Sequence, residues 1–137
     1  MRWILTILFF YCQISFAQQP AEPILTTVEI QPEFPGGQAA MYKFLAKNIT
    51  YPAEAQKANI SGRVFIKFIV RKDGSIDNVL VLKGIGYGCD EEAVRVIKLM
   101  PNWTPGYQGG KPANVYYNMP IVYKLEGGRK TSKRFRN

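Results

Sequence analysis

The chain of 137 residues contains no histidine. This absence excludes histidine acid–base catalysis, Ser-His and Cys-His nucleophile pairs, and zinc sites built on imidazole. Cysteine is also scarce, with two residues in the sequence. If the N-terminal segment is removed on export, only Cys89 remains, and no disulfide can form within the chain. The sequence therefore predicts neither an enzyme nor a site for a cofactor or a metal ion.

The N-terminal apolar stretch is shorter than a typical membrane-spanning helix. Trp3 to Ala17 is 15 residues long and contains a glutamine, whereas a spanning helix needs about 20 apolar residues. A single arginine precedes the stretch, and Ser15-Phe16-Ala17 supplies small residues at the −3 and −1 positions of a cleavage site. This pattern predicts a signal peptide over residues 1–17, cut before Gln18. An uncleaved membrane anchor is the alternative.

The net charge of +8 is concentrated at the C-terminus. Five of the 18 basic residues occupy the last nine positions. Residues 18–128 contain 12 basic and 10 acidic residues, a balance of only +2. The sequence therefore predicts a solvated, disordered basic tail over residues 127–137, with contact to acidic lipid or cell-wall polymer as the alternative. Nucleic acid is not expected as a partner of an exported chain.

The middle of the chain reads as a small α+β domain preceded by a flexible lead-in over residues 18–31. Apolar residues at helical spacing alternate with stretches of period two, and Asp73-Gly74 is typical of a hairpin turn. A phase change in the returning strand indicates a bulge near Asp77-Asn78. The predicted helices cover residues 38–48, 52–58 and 90–100, and the predicted strands cover residues 62–71, 76–83 and 114–125.

The order of these elements predicts a three-stranded, antiparallel-type sheet with helices packed on one face. A right-handed crossover through the last helix makes the second and third strands parallel. The first strand then lies between them, which gives the order second–first–third. Pro120, in the middle of the third strand, agrees with an edge position because proline cannot donate to a sheet ladder. We expect an open edge from Asn114 to Met119, and a core in which Ile66, Phe68, Ile97 and Ile121 meet.

Three stretches of this sequence resemble the TonB C-terminal domain, in the version common in Bacteroidetes-type bacteria. They are GRVFIKFIVRKDGSIDNVLVLKG, DEEAVRVIKLMPNWTPG and GKPANVYYNMPIVYKL. The motif PEFPGG and the Tyr51-Pro52 step fit the same family. The resemblance covers most of residues 32–126, which we take as the domain.

The resemblance implies an energy transducer for transport across the outer membrane. Members of the family pair this domain with the TonB box, a short segment of an outer-membrane TonB-dependent receptor, beside the last strand of the domain. Their N-terminal anchor engages a proton-driven motor complex in the inner membrane. The implied location is the periplasm, with inner-membrane anchoring as the alternative. The residues expected to contact the partner segment are Asn114, Val115, Tyr116, Tyr117, Asn118, Met119, Thr50 and Tyr51.

This sequence departs from the family plan at several points. It has no membrane histidine, and Thr50 replaces the glutamine that the family places before Tyr-Pro. From Ala17 to Gln38 the chain reaches about 70 Å at most, and it has no proline-rich spacer. The resemblance therefore supports receptor binding by this chain more strongly than coupling to the motor. Another protein would have to supply the link to the motor. The alternative is a structural or envelope-binding protein that forms homodimers through its edge strand and is not coupled to the motor.

Overall fold

The computed structural model describes residues 20–125, so the predicted signal peptide and basic tail lie outside the described residues. Three helices and five strands are formed in this part of the chain. None of these helices is long and apolar enough to span a membrane. In chain order the elements are β1 (Ile24–Leu25), α1 (Gly37–Asn48), α2 (Ala53–Lys57), β2 (Gly62–Val70), β3 (Ile76–Lys83), α3 (Cys89–Lys98), β4 (Gly106–Gln108) and β5 (Lys111–Tyr123).

The sheet has the strand order β1-β5-β2-β3. Strand β2 is antiparallel to both β3 and β5, so these two strands run parallel to each other. The predicted α+β class is confirmed, and so is the order second–first–third for β3, β2 and β5. Two short strands were not predicted: β1 pairs in parallel with β5, and β4 forms a hairpin with the start of β5.

The helices pack on one face of the sheet and enclose the core there. Ile66, Phe68, Ile97 and Ile121 are all buried in one cluster, which confirms the predicted core. The buried ring of Trp103 stands edge-on to Phe68, with 5.5 Å between the ring centroids. Side chains alternate between the two faces of a strand. Ile66 and Phe68 therefore mark the face of β2 that packs against the helices.

Strand β3 carries the bulge that the sequence predicts. Lys67 pairs with Leu80 and Ile69 with Asp77, so two steps along β2 correspond to three along β3. Asn78, the residue next to Asp77, has a φ of 51°, a left-handed conformation that asparagine tolerates better than most residues. A second irregularity follows between Phe65 and Ile66. The outer strand β3 is therefore irregular along its length.

The region predicted to be a flexible lead-in contains two backbone pairings. Ile24 and Leu25 form β1, and Ile30 forms an isolated bridge with Tyr107. The N–H and C=O groups of Ile30 and Tyr107 exchange two hydrogen bonds, of 3.1 and 2.9 Å. This part of the lead-in is thus tied to the sheet and to β4.

The predicted start of α2 is also corrected. Pro52 is the N-cap residue and not part of the first turn, and no side chain caps the helix. Thr50, two residues before Pro52, donates its backbone N–H to Glu92 Oε1 at 2.8 Å. The segment before α2 is thereby fastened to α3.

Candidate partner-binding edge of strand β5

The expected contact residues Asn114 and Val115 do not lie on an open edge. They pair with Ile24 and Leu25 of β1, and both are buried. The expectation of an edge that is open from Asn114 is therefore corrected. The physical reason is that an apolar dipeptide of the lead-in fills this stretch of the edge.

The side chain of Asn114 has a structural role in this position. Its Oδ1 accepts a hydrogen bond of 2.9 Å from the backbone N–H of Lys72, in the β2–β3 turn. The Nζ of Lys72 lies 2.5 Å from Glu22 Oε1. The hydrogen bond from Lys72 lowers the pKa of the Glu22 carboxyl. Asn114 and Lys72 together hold the beginning of β1 against the sheet.

From Tyr116 to Tyr123, strand β5 has no strand partner on its outer side among the described residues. Strand β1 stops opposite Val115, and β4 pairs only with Lys111–Ala113. We call Tyr116–Tyr123 the open edge. It begins two residues later than the sequence predicts and extends four residues beyond Met119, the predicted end.

Pro120 shows which main-chain groups point outward from the open edge. The ladder with β2 passes through the Phe65–Pro120 pair without a register shift. A proline fits an unbroken ladder where its nitrogen points away from the neighbouring strand. The groups of alternate residues point to the same side, so Asn118 and Val122 each present an N–H and a C=O outward. Tyr116 has the same phase, but the parallel Leu25–Val115 pair places its N–H against the carbonyl of Leu25, which leaves its C=O open. Pro120 presents its C=O alone.

The side chains of the open edge differ in how accessible they are. Tyr117 packs against the rings of Trp103 and Phe68, at centroid distances of 4.9 and 5.5 Å. Tyr116 is half-buried, and Lys67 Nζ lies 4.1 Å from the centroid of its ring. Asn118 is exposed, whereas Met119 is buried. Of the expected contact residues on β5, Asn118 is thus the most accessible side chain.

Tyr51 lies at the far end of the open edge from Asn114. Its ring is edge-on to Tyr123, with the centroids 5.5 Å apart. Nine residues of strand, at about 3.3 Å each, separate Tyr123 from Asn114, a distance of about 30 Å. The structure therefore brings Thr50 and Tyr51 to one end of the open edge, and Asn114 and Val115 to the other.

A family model described as the C-terminal region of the Gram-negative bacterial TonB protein matches residues 47–125. The chain belongs to the TonB C-terminal family. Among the relatives, Protein TonB of Escherichia coli K12 is 37% identical over 78 residues, which are 56% of this chain and 30% of that protein. Protein TonB of Campylobacter coli is 28% identical over 78 residues, 56% of this chain and 32% of that protein. The match thus spans about a third of the length of these relatives.

Solved structures of TonB C-terminal domains are also similar. The domain from Helicobacter pylori is 26% identical with a TM-score of 0.49, over 66% of this chain and 95% of that one. The domain from Pseudomonas aeruginosa is 29% identical with a TM-score of 0.47, over 59% of this chain and 82% of that one.

The TonB C-terminal match includes the whole open edge and the Thr50-Tyr51 pair, but not β1. The segment that covers Asn114 and Val115 thus lies outside the family region. Sequence analysis missed Pro120 and Val122 as members of the site. Both are alternate residues of the same strand as Asn118, and this spacing of two could have identified them.

Cys89 is the free cysteine in the described part of this TonB C-terminal domain, and it is buried. Burial raises the pKa of the Cys89 thiol, which disfavours the reactive thiolate. Between residues 20 and 125 no cluster of histidine, cysteine or carboxylate side chains could hold a metal ion. What the open edge offers is main-chain hydrogen bonding.

Tyr123 makes the stability of the domain sensitive to alkaline pH. Its hydroxyl donates a hydrogen bond of 2.8 Å to the carbonyl of Cys89, and burial raises its pKa. The raised pKa favours the protonated form in the folded state, so this stabilisation is complete below the unfolded pKa of about 10 and decreases above it. We expect the free energy of unfolding to fall steeply above about pH 10, and less steeply in Tyr123→Phe.

Urea denaturation across this pH range measures the effect. At neutral pH, Tyr123→Phe should cost about 1 kcal/mol for the lost hydrogen bond. The control is Tyr42→Phe, because Tyr42 is an exposed tyrosine on α1. Equal alkaline slopes in the two variants would contradict the assignment to Tyr123.

Proposed function

We propose that this domain binds an extended segment of an outer-membrane TonB-dependent receptor, the TonB box, by pairing it with the open edge. The observation that supports this proposal most directly is the stretch Tyr116–Tyr123, which has no outer strand partner within residues 20–125. Membership of the TonB C-terminal family supplies the class of partner. The activity of the domain is then partner binding in energised transport across the outer membrane, not catalysis.

The chemistry of the open edge suits a segment without regular structure of its own. Such a segment adds as a further strand, with affinity from main-chain hydrogen bonds and selectivity from the side chains beside it. Asn118 and Val122 supply both donors and acceptors, and Tyr116 supplies an acceptor. Pro120 supplies only an acceptor, so one carbonyl of the incoming segment finds no donor there. The docked strand is therefore held most firmly on either side of Pro120.

The position of β1 limits how far the docked strand extends. Leu25 is paired with Val115, so the edge before Tyr116 is occupied. An added strand therefore runs from Tyr116 toward Tyr123, where Thr50 and Tyr51 lie beside its end. Asn114 and Val115 contribute by holding β1, and not by direct contact with the receptor segment.

We place the domain in the periplasm, where a receptor segment is within reach. Coupling to the inner-membrane motor complex then passes through another protein, or through an N-terminal segment that stays in the inner membrane. Sequencing the N-terminus of the native protein distinguishes these two arrangements. A start near Gln18 agrees with export and cleavage, and an intact Met1 in the inner-membrane fraction agrees with an anchor.

Titration with a receptor peptide tests the proposed function. The probe is a synthetic TonB-box peptide from a receptor of the same organism, and the readout is the backbone amide signals of the isotopically labelled chain. We expect the largest shifts at Asn118 and Val122, whose N–H groups are open. The control is a scrambled peptide of the same composition, which should shift these signals less.

The outcomes of the titration separate this proposal from its alternatives. Shifts confined to β3 or to Gly84–Gly88 would contradict docking at the open edge. Shifts of the open edge that grow with protein concentration, in the absence of peptide, would indicate a homodimer formed through the same edge.

A further inference from the structure

The sheet face opposite the helices carries exposed apolar side chains. Three cross-strand rows cover it: Val122 with Arg63, then Pro120 with Phe65 and Lys83, then Asn118 with Lys67 and Leu80. Residues directly opposite each other on neighbouring strands share a face. We call these eight residues the helix-free face. None of them belongs to the core cluster on the helix side.

Apolar groups occur in every row of the helix-free face. Val122 is 58% exposed, Phe65 39% and Leu80 49%. Successive rows are about 7 Å apart and neighbouring strands about 4.8 Å apart, so these side chains form a continuous patch. A contiguous apolar patch on a small domain is typical of an interaction surface.

The charged groups of the helix-free face all have one sign. Each row contains one cation, namely Arg63, Lys83 and Lys67. Within residues 20–125 none of these cations is in an ion pair. The closest acidic side chain by register, Asp77, lies in the next row toward the β2–β3 turn and is paired with Arg71 at 2.5 Å. The patch therefore combines apolar side chains with unpaired positive charge.

We propose that the helix-free face docks on an anionic phospholipid membrane surface. Apolar side chains enter the boundary between headgroups and acyl chains, while cations at the same level contact the lipid phosphates. A partner surface of acidic side chains would match the cations but not the apolar groups between them. A neutral apolar partner would leave three cations without counter-charges. An anionic lipid surface satisfies both parts of the face.

This orientation leaves the open edge accessible. The outward main-chain groups of β5 point in the plane of the sheet, whereas the helix-free face points along its normal. A domain that lies on a membrane through this face therefore holds its open edge parallel to the membrane surface. The inference does not depend on receptor binding, because the residues that carry it are side chains of the face and not the main chain of the edge.

Site-specific labels test the orientation of the domain on lipid. A polarity-sensitive fluorophore is attached at Leu80→Cys on the helix-free face, or at Tyr42→Cys on α1 as the control. Both labelled variants also carry Cys12→Ser, so that the fluorophore has no second site in the N-terminal segment. Cys89 is kept because it is buried and protected from labelling. With vesicles of phosphatidylglycerol and phosphatidylcholine, we expect a blue shift at position 80 and little change at position 42. Equal shifts at both positions, or none at position 80, would overturn the proposal.

Charge variants separate the face from the net charge of the chain. The triple variant Arg63→Gln, Lys67→Gln, Lys83→Gln should bind the same vesicles about 100-fold more weakly, at about fivefold per cation. The control triple Lys43→Gln, Lys47→Gln, Lys57→Gln removes three exposed cations from α1 and α2. Both triples keep the basic tail and the same net charge. Equal losses would mean that binding follows net charge alone, which excludes this face as the docking surface.

Discussion

Replacing Phe68 by alanine should lower the free energy of unfolding by about 3–5 kcal/mol, because a cavity replaces a fully buried aromatic ring. The ring contacts Trp103 and Tyr117, each at a centroid distance of 5.5 Å. Two neighbouring aromatic rings therefore lose a packing partner at once. A loss of this size is a large part of the about 5–15 kcal/mol that stabilises a small domain. Urea denaturation followed by circular dichroism measures it.

Phe65→Ala is the matched control for this prediction. Phe65 is on the same strand but on the helix-free face, and it is partly exposed. Its truncation should cost clearly less than that of Phe68. A loss below about 1 kcal/mol for Phe68→Ala, or equal losses at the two positions, would show that the helix side of β2 is not the core.

Asn118→Pro should weaken binding of the receptor peptide about tenfold or more. The substitution removes the outward N–H of Asn118 and leaves a carbonyl of the docked strand without a donor, at a cost of about 1–3 kcal/mol. Pro120, two residues later, lacks the same donor. The variant would leave only Val122 to donate. The dissociation constant of the peptide, measured by calorimetry, gives the result.

Two properties make Asn118 the suitable position for this test. Its N–H points to the same side as the nitrogen of Pro120, away from β2, so a proline here should leave the ladder to β2 intact. Thermal unfolding of the variant checks this. Asn118→Ala removes the side chain but keeps the N–H, so it should bind the peptide nearly as well as the unaltered chain. If the proline and alanine variants bind equally, the main chain of the open edge is not the binding site.

The elements of the domain could be predicted from the sequence where a long periodic pattern specifies them. The alternation along β2 and the Asp73-Gly74 turn identified the central hairpin, and Pro120 identified an edge strand. Phe68 and Ile97 were recognised as core residues for the same reason. In each case the information is local, within about ten residues.

The rest could not be predicted because it depends on contacts between distant residues. Strand β1 has only two residues, too few for any periodicity, and its partner Asn114 lies 90 positions away. Thr50 has a clear sequence position, but its hydrogen bond to Glu92 spans 42 residues. The open part of β5 depends on these contacts, so the sequence predicted the strand but not where its outer side is open.

The unequal borders of the sheet decide what kind of assembly this domain can enter. The part of β5 that follows its pairing with β1 keeps an unbroken register with β2. Strand β3, at the other border, is interrupted by two register shifts. Irregular borders resist the addition of further strands. A domain with one free sheet edge can form a dimer or bind one added strand. It cannot extend into a fibre, because each unit of a fibre needs two free edges. Strand addition to this domain therefore stops after one strand.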